Sequence, residues 1–164
     1  MKTAFTLVEI LIVVLILGIL AAIVVPQFSN ATTIARASMV ADDLRIFRTQ
    51  LMVYKAQHNG LSLGYPNVGG VPSDAIVIAQ FTQASNAAAT TAAPGTAGFP
   101  FGPYLREVPP NPLNGKNSIL VLADGAPFPA TGKDATGWVY QPSTDTFRAD
   151  SPGKDDTGKN YFDY

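Results

Sequence analysis

Residues 4–28 read AFTLVEILIVVLILGILAAIVVPQF, and the run carries a single charge, Glu9. Between Phe5 and Val25 the only polar side chains are Thr6 and Glu9. A helix of about 20 apolar residues crosses the roughly 30 Å of hydrocarbon in a bilayer, and this span supplies that length. A secretory signal would have a shorter apolar region with a small-x-small site after it. Ala21-Ala22 offers small residues, but apolar positions continue beyond them. A core helix of a soluble domain does not fit the length or the uninterrupted Ile, Val and Leu content. The stretch predicts a membrane-spanning helix. Lys2 precedes it and the next basic residue is Arg36, which predicts a cytoplasmic N-terminus and an exported body.

Beyond Pro26 the apolar residues recur as Phe28, Ala31, Ala35, Val40, Leu44, Phe47, Leu51 and Tyr54. Steps of three and four mark an amphipathic helix with one buried stripe. Arg36, Asp42, Asp43, Arg45, Arg48 and Lys55 lie on the other face. Asn59-Gly60 is a C-terminal stop signal, so one helix is expected from about Thr6 to His58. His58 reads as a capping or surface residue. Pro26 removes a backbone donor and should kink or loosen the helix around Ala22. Gly18 permits close approach of helices or local melting, at about 1 kcal/mol of helix propensity against Ala.

The remainder reads as a small body. DAIVIAQFTQAS (74–85) has a cap at Ser73 or Asp74 and helical apolar spacing. NAAATTAAPGTAG (86–98) reads as an exposed, mobile low-complexity loop. FGPYLREVPPNPLNGK (101–116) is studded with proline and predicts a fixed extended connector. Three strands are expected, in SILVLA (118–123), GWVYQ (137–141) and TFRAD (146–150), the last two joined by a hairpin turn. Trp138, Tyr140 and Phe147 alternate with smaller or polar neighbours, as a half-buried sheet requires. The expected fold is α+β: a long N-terminal helix packed on a small antiparallel sheet with one face covered.

Composition narrows the function. The 164 residues include no cysteine and one histidine, which excludes disulfides, thiolate metal sites, cysteine nucleophiles and His-pair zinc motifs. The net charge of −1 gives no basic field for nucleic acid. No nucleophile–base pair or metal triad is visible, so no enzyme is expected. A monomeric membrane-anchored binding module is a further class, in which Glu9 would have no assembly role. An ionised Glu inside a bilayer costs at least a few kcal/mol unless it is paired or reaches the interface. Glu9 in the first helical turn would be favoured by the helix dipole, and this explains its tolerance but not its purpose.

FTLVEILIVVLILGILAAIVVPQF, preceded by a short basic leader, closely resembles the N-terminus of type IV pilins and type II secretion pseudopilins, over about Lys2 to Ala31. The resemblance implies cleavage between Ala4 and Phe5 by prepilin peptidase, and methylation of the new Phe5 amine. It implies Glu9 as the assembly glutamate and Pro26 as the helix-kinking proline. The Phe5 amine would then be a cation for Glu9, on its own helix at i,i+4 or on a neighbour's. The family usually has glycine before the cut, and Ala4 keeps the small size. Tyr65-Pro66 and PYLREVPPNPLNG (103–115) are more loosely similar to the middle region of the major pseudopilin, and the absence of cysteine points the same way.

In the tail RADSPGKDDTGKNYFDY (148–164), Asp150, Asp155 and Asp156 cluster around Gly153. Oxygen ligands on such a loop suit a hard cation, and the segment resembles the calcium loop of major pseudopilins in place and composition; Lys154 and Lys159 dilute the charge, and a solvated polar tail is the alternative. The expected organisation is a leader at 1–4, a transmembrane and filament-core helix at 5–26, and a periplasmic pilin-like domain at 27–164 that includes the amphipathic helix half 27–58. The resemblance implies a subunit of a homo-oligomeric helical filament that drives protein export as a type II pseudopilus. Its alternative is a type IV pilus for adhesion or motility. Partners would be prepilin peptidase, an inner-membrane assembly platform with a separate ATPase, and membrane lipid before assembly. The location would be the bacterial inner membrane and then the filament.

Overall fold

A single helix, α1, runs from Leu7 to Gln57 over 51 residues. The computed structural model describes residues 6–164, apart from the side chains at 25–27, 29 and 30. Thr6 is the N-cap and His58 the C-cap of α1. Asn59 turns left-handed (φ 54°) and Gly60 follows (φ 82°). The Gly60 N–H then bonds the Lys55 carbonyl at 2.9 Å, which satisfies one of the carbonyls a helix end leaves open. α1 continues as helix through Pro26.

Only the second half of α1 has a stripe buried in the body. Ala37, Val40, Leu44, Phe47, Leu51 and Tyr54 are buried. Phe28, Ala31 and Ala35, expected to begin that stripe, are exposed, because the body's packing on the helix starts at Ala37.

The body follows the helix. α2 (Asp74–Thr82) starts at Ser73, whose hydroxyl accepts the Ile76 N–H at 3.4 Å. It buries Val77, Gln80 and Phe81. Residues expected to form an exposed loop instead enter a hairpin of β1 (Ala84–Ser85) and β2 (Thr91–Ala92). Asn86 builds its turn, accepting the N–H groups of Ala88 at 3.0 Å and Thr90 at 3.1 Å on its side-chain oxygen. Ala89 is buried in the core. The alanine-rich composition hid this, because an Asx-type turn rests on one residue.

The second sheet contains β3 (Ile119–Val121), β4 (Trp138–Gln141) and β5 (Thr146–Ala149), in that order. β4 and β5 pair antiparallel, as the hairpin reading requires. β3 pairs parallel to β4, so the sheet is mixed rather than antiparallel. The reason is the connector 122–137, which crosses over instead of turning back. Trp138, Tyr140 and Phe147 lie on the face toward α1: Phe47 stacks on Phe147 at 4.7 Å and meets Trp138 edge-on at 5.1 Å. The other face is not open as expected, since all four β4 residues are buried. Arg148, cross-strand from Val139, lies over the rings of Phe128 and Phe162 at 4.4 and 5.1 Å. The connector and the tail thus cover the second face.

His58 is not a surface residue. Its ring is 1% exposed and stacks on Tyr54 at 3.8 Å. Nδ1 sits 2.7 Å from the Tyr54 carbonyl and Nε2 3.0 Å from the Ser85 hydroxyl, joining the end of α1 to β1.

Candidate functional site

The first turn of α1 carries the one acid of the apolar span. The Glu9 N–H donates to the Thr6 hydroxyl at 3.2 Å, and the Glu9 carboxylate accepts from the Thr6 N–H at 2.7 Å and the Thr6 hydroxyl at 2.8 Å. This reciprocal capping box satisfies helix-end donors and places negative charge at the positive end of the dipole. Glu9 is held by its own chain. The expectations for Ala4 and Phe5 fall outside the described residues. The sequence signal for the cap is Thr-x-x-Glu directly before an apolar run, with Thr6 as the partner that a reading centred on charge overlooks.

Leu7–Val24 is long and apolar enough to cross a membrane, and none of it is buried by the other described residues. Each large aliphatic side chain left in water forgoes roughly 1.5–3 kcal/mol, so this half of α1 requires an apolar surrounding from outside the subunit. Its Ile, Leu and Val side chains point all round the axis, with exposures from 45% at Val24 to 82% at Leu7. That distribution suits lipid, or a bundle of like helices.

A stretch of 54 residues is 43% identical to the type II secretion system core protein G of Pseudomonas aeruginosa, covering 33% of this chain and 38% of that protein. The type II secretion system core protein G of Klebsiella pneumoniae is 31% identical over 119 residues, 73% of this chain and 74% of that protein. The chain belongs to this family of type II secretion pseudopilins. No family model matches it, and no solved structure matches it significantly.

The structure places the three tail aspartates in separate surroundings. Asp150 is buried; its carboxylate accepts the N–H groups of Lys133 at 2.7 Å and Thr136 at 2.8 Å, and the Thr136 hydroxyl at 3.0 Å. Asp155 folds its own turn, with one oxygen accepting from the Thr157 N–H and hydroxyl and the Lys159 N–H at 2.7–2.9 Å. Its other oxygen accepts the Tyr164 hydroxyl. These donors, the Tyr164 hydroxyl foremost, hold the Asp155 carboxyl down to about 2. Asp156 is exposed. Among the described residues no three acids or histidines come together as a metal-holding group. Asp150 and Asp155 each accept from N–H or O–H donors on both carboxylate oxygens, so the three expected aspartates serve their own loops rather than facing one another.

Proposed function

We propose that this pseudopilin is a structural, non-enzymatic subunit of a type II secretion pseudopilus. It is inserted in the inner membrane with its N-terminus cytoplasmic, cleaved before Phe5 and methylated on the new amine. It is then drawn out of the membrane into a helical filament that drives protein export. The observation that carries the reading is the unburied span Leu7–Val24 headed by one acid. In lipid the capping box satisfies Glu9 internally. On assembly the Phe5 amine of a neighbouring copy takes over part of that carboxylate, which sets the stagger between helices. The apolar halves form the core of the fibre and the bodies its surface. The relatives' names, both of type II secretion core protein G, favour export over adhesion.

The intact mass and N-terminal peptide of the protein from its own membranes test the processing step. The expected chain starts at Phe5 and carries one extra methyl. A chain starting at Met1 would leave a permanent single-span anchor and end the filament reading. Glu9→Leu tests the next step: the variant should be cleaved and remain in the membrane, with fibres and export lost. Normal fibres from that variant would remove Glu9 from assembly.

A further inference from the structure

The crossover connector brings several oxygen atoms together beside the end of β5. The Asp134 and Ala135 carbonyls both accept from the Lys116 ammonium, the second at 3.3 Å. The Asn114 amide nitrogen lies 3.1 Å from an Asp134 carboxylate oxygen, 2.9 Å from the Thr136 carbonyl and 3.1 Å from the Asp150 carbonyl. The Asp150 carboxylate turns back onto the same connector through Thr136. The backbone is packed to permit this: a Cβ on Gly137 would stand 2.0 Å from the Lys116 carbonyl oxygen.

Carbonyl and carboxylate oxygens gathered on loops are the donor set that a hard divalent cation takes, six to eight at a time in the case of Ca²⁺. Here nitrogen donors from one short segment, Asn114 to Lys116, meet them. We propose that the Lys116 ammonium, on the Asp134 and Ala135 carbonyls, and the Asn114 amide, on the other oxygens, together take the place of a cation in this cluster, so that the pseudopilin closes its crossover connector without a divalent ion. An entering Ca²⁺ would have to displace a positive charge tethered to the fold, and a tethered group competes at high effective concentration. It would also meet like-charge repulsion until the ammonium left. Chelators cannot remove a lysine.

The inference is independent of the filament reading, since it concerns the single subunit. The full chain in detergent micelles is heated while the fluorescence of Trp138 is followed. That residue is the chain's one tryptophan, fully buried and bonded through Nε1 to the Pro109 carbonyl at 2.8 Å. The wild-type Tm is expected to be the same in chelator and in millimolar calcium. Lys116 is exposed, so water screens its contacts, and Lys116→Met should lower Tm by about 2–4 °C in either buffer. Lys116→Arg keeps charge and donors and should recover most of that loss. A saturable rise of the wild-type Tm with calcium, reversed by chelator, would overturn the proposal. So would a Lys116→Met protein as stable as the wild type.

Discussion

The two halves of α1 share one backbone geometry and have opposite surroundings. From Leu7 to Val24 no part of the helix is buried by the other described residues. From Ala37 to Tyr54 one side-chain stripe is sealed against α2 and the sheet. Backbone hydrogen bonds are satisfied within the helix in both halves, so helicity itself says nothing about where each half belongs. The side chains decide it. The first half is uniformly apolar and takes its medium from outside; the second is striped and carries its own medium as a folded body. Phe47 sets the largest expected break in this contrast, since its ring touches Phe147, Trp138 and Phe81. Phe47→Ala should cost about 3–5 kcal/mol of body stability. Leu15→Ala, at a position 62% exposed, should change that stability by no more than about 0.5 kcal/mol. Urea unfolding followed through Trp138 reads both, and equal losses would erase the distinction between the halves.

The next effect tests whether the body rather than the helix fixes the second half. Gln80 is fully buried on α2. Its carbonyl oxygen accepts the Gly64 N–H at 2.7 Å, and its amide donates to the Tyr65 carbonyl at 2.8 Å. It thereby pins the segment leaving α1 onto α2. Gln80→Ala strands those backbone groups and opens a void, which should cost about 2–3 kcal/mol. Membrane association should be untouched, because the apolar half shares none of these contacts. A variant that detached from membranes would show that the halves are coupled.

The sequence disclosed these two halves unequally. The apolar span and the stripe from Val40 to Tyr54 announce themselves by composition and period, which are properties of many residues at once. So did the three strands of the second sheet and the cap at Ser73. What stayed hidden depends on single residues or on long-range return of the chain. Asn86 folds an alanine-rich stretch into a hairpin. The parallel pairing of β3 with β4 is decided by the path of residues 122–137, for which no local signal exists. In the tail, the turn of Asp150 toward Thr136 and of Asp155 toward Tyr164 is likewise invisible in the spacing of the aspartates. At the other end a reading centred on the charge of Glu9 passes over Thr6, its capping-box partner, and Ala4 and Phe5 are a matter for the mass of the processed chain.

His58 offers a smaller effect, confined to the junction between the second half of α1 and the body. Burial pushes its pKa below the ordinary 6.5, against its hydrogen bonds to backbone. The unfolded chain therefore binds a proton more readily than the folded one. This contribution is complete above about pH 6.5 and is lost as pH falls toward the lower folded value. The Tm should drop as pH falls below about 6.5, and His58→Asn, although less stable throughout, should drop less. Parallel curves for the two proteins would assign the acid sensitivity to another group.

The smallest effect concerns the tail that latches onto the second half of α1. Tyr164 joins them: its carbonyl oxygen accepts from Arg48 at 2.9 Å, and its hydroxyl donates to Asp155. That hydrogen bond leads the donors that hold the Asp155 carboxyl down to about 2, from an ordinary 3.8, while burial first, and the bond to Asp155 second, push the Tyr164 hydroxyl up to about 12. A carboxylate whose folded pKa is depressed stabilises the fold fully above its unfolded value, and that stability is lost as pH falls through the folded one. The window is therefore from about pH 4 down to about pH 2. The wild type should lose its Tm advantage over Asp155→Asn across that window. All other carboxylates are common to both proteins, so the difference between their Tm curves isolates this group. Tyr164→Phe separates the causes, since it removes the hydroxyl donor and leaves the Thr157 and Lys159 donors in place. If the latch to α1 is what Asp155 supports, Tyr164→Phe should shrink the same advantage. If the advantage persists undiminished, Asp155 serves only its own turn and the tail is not part of what holds the second half of the helix.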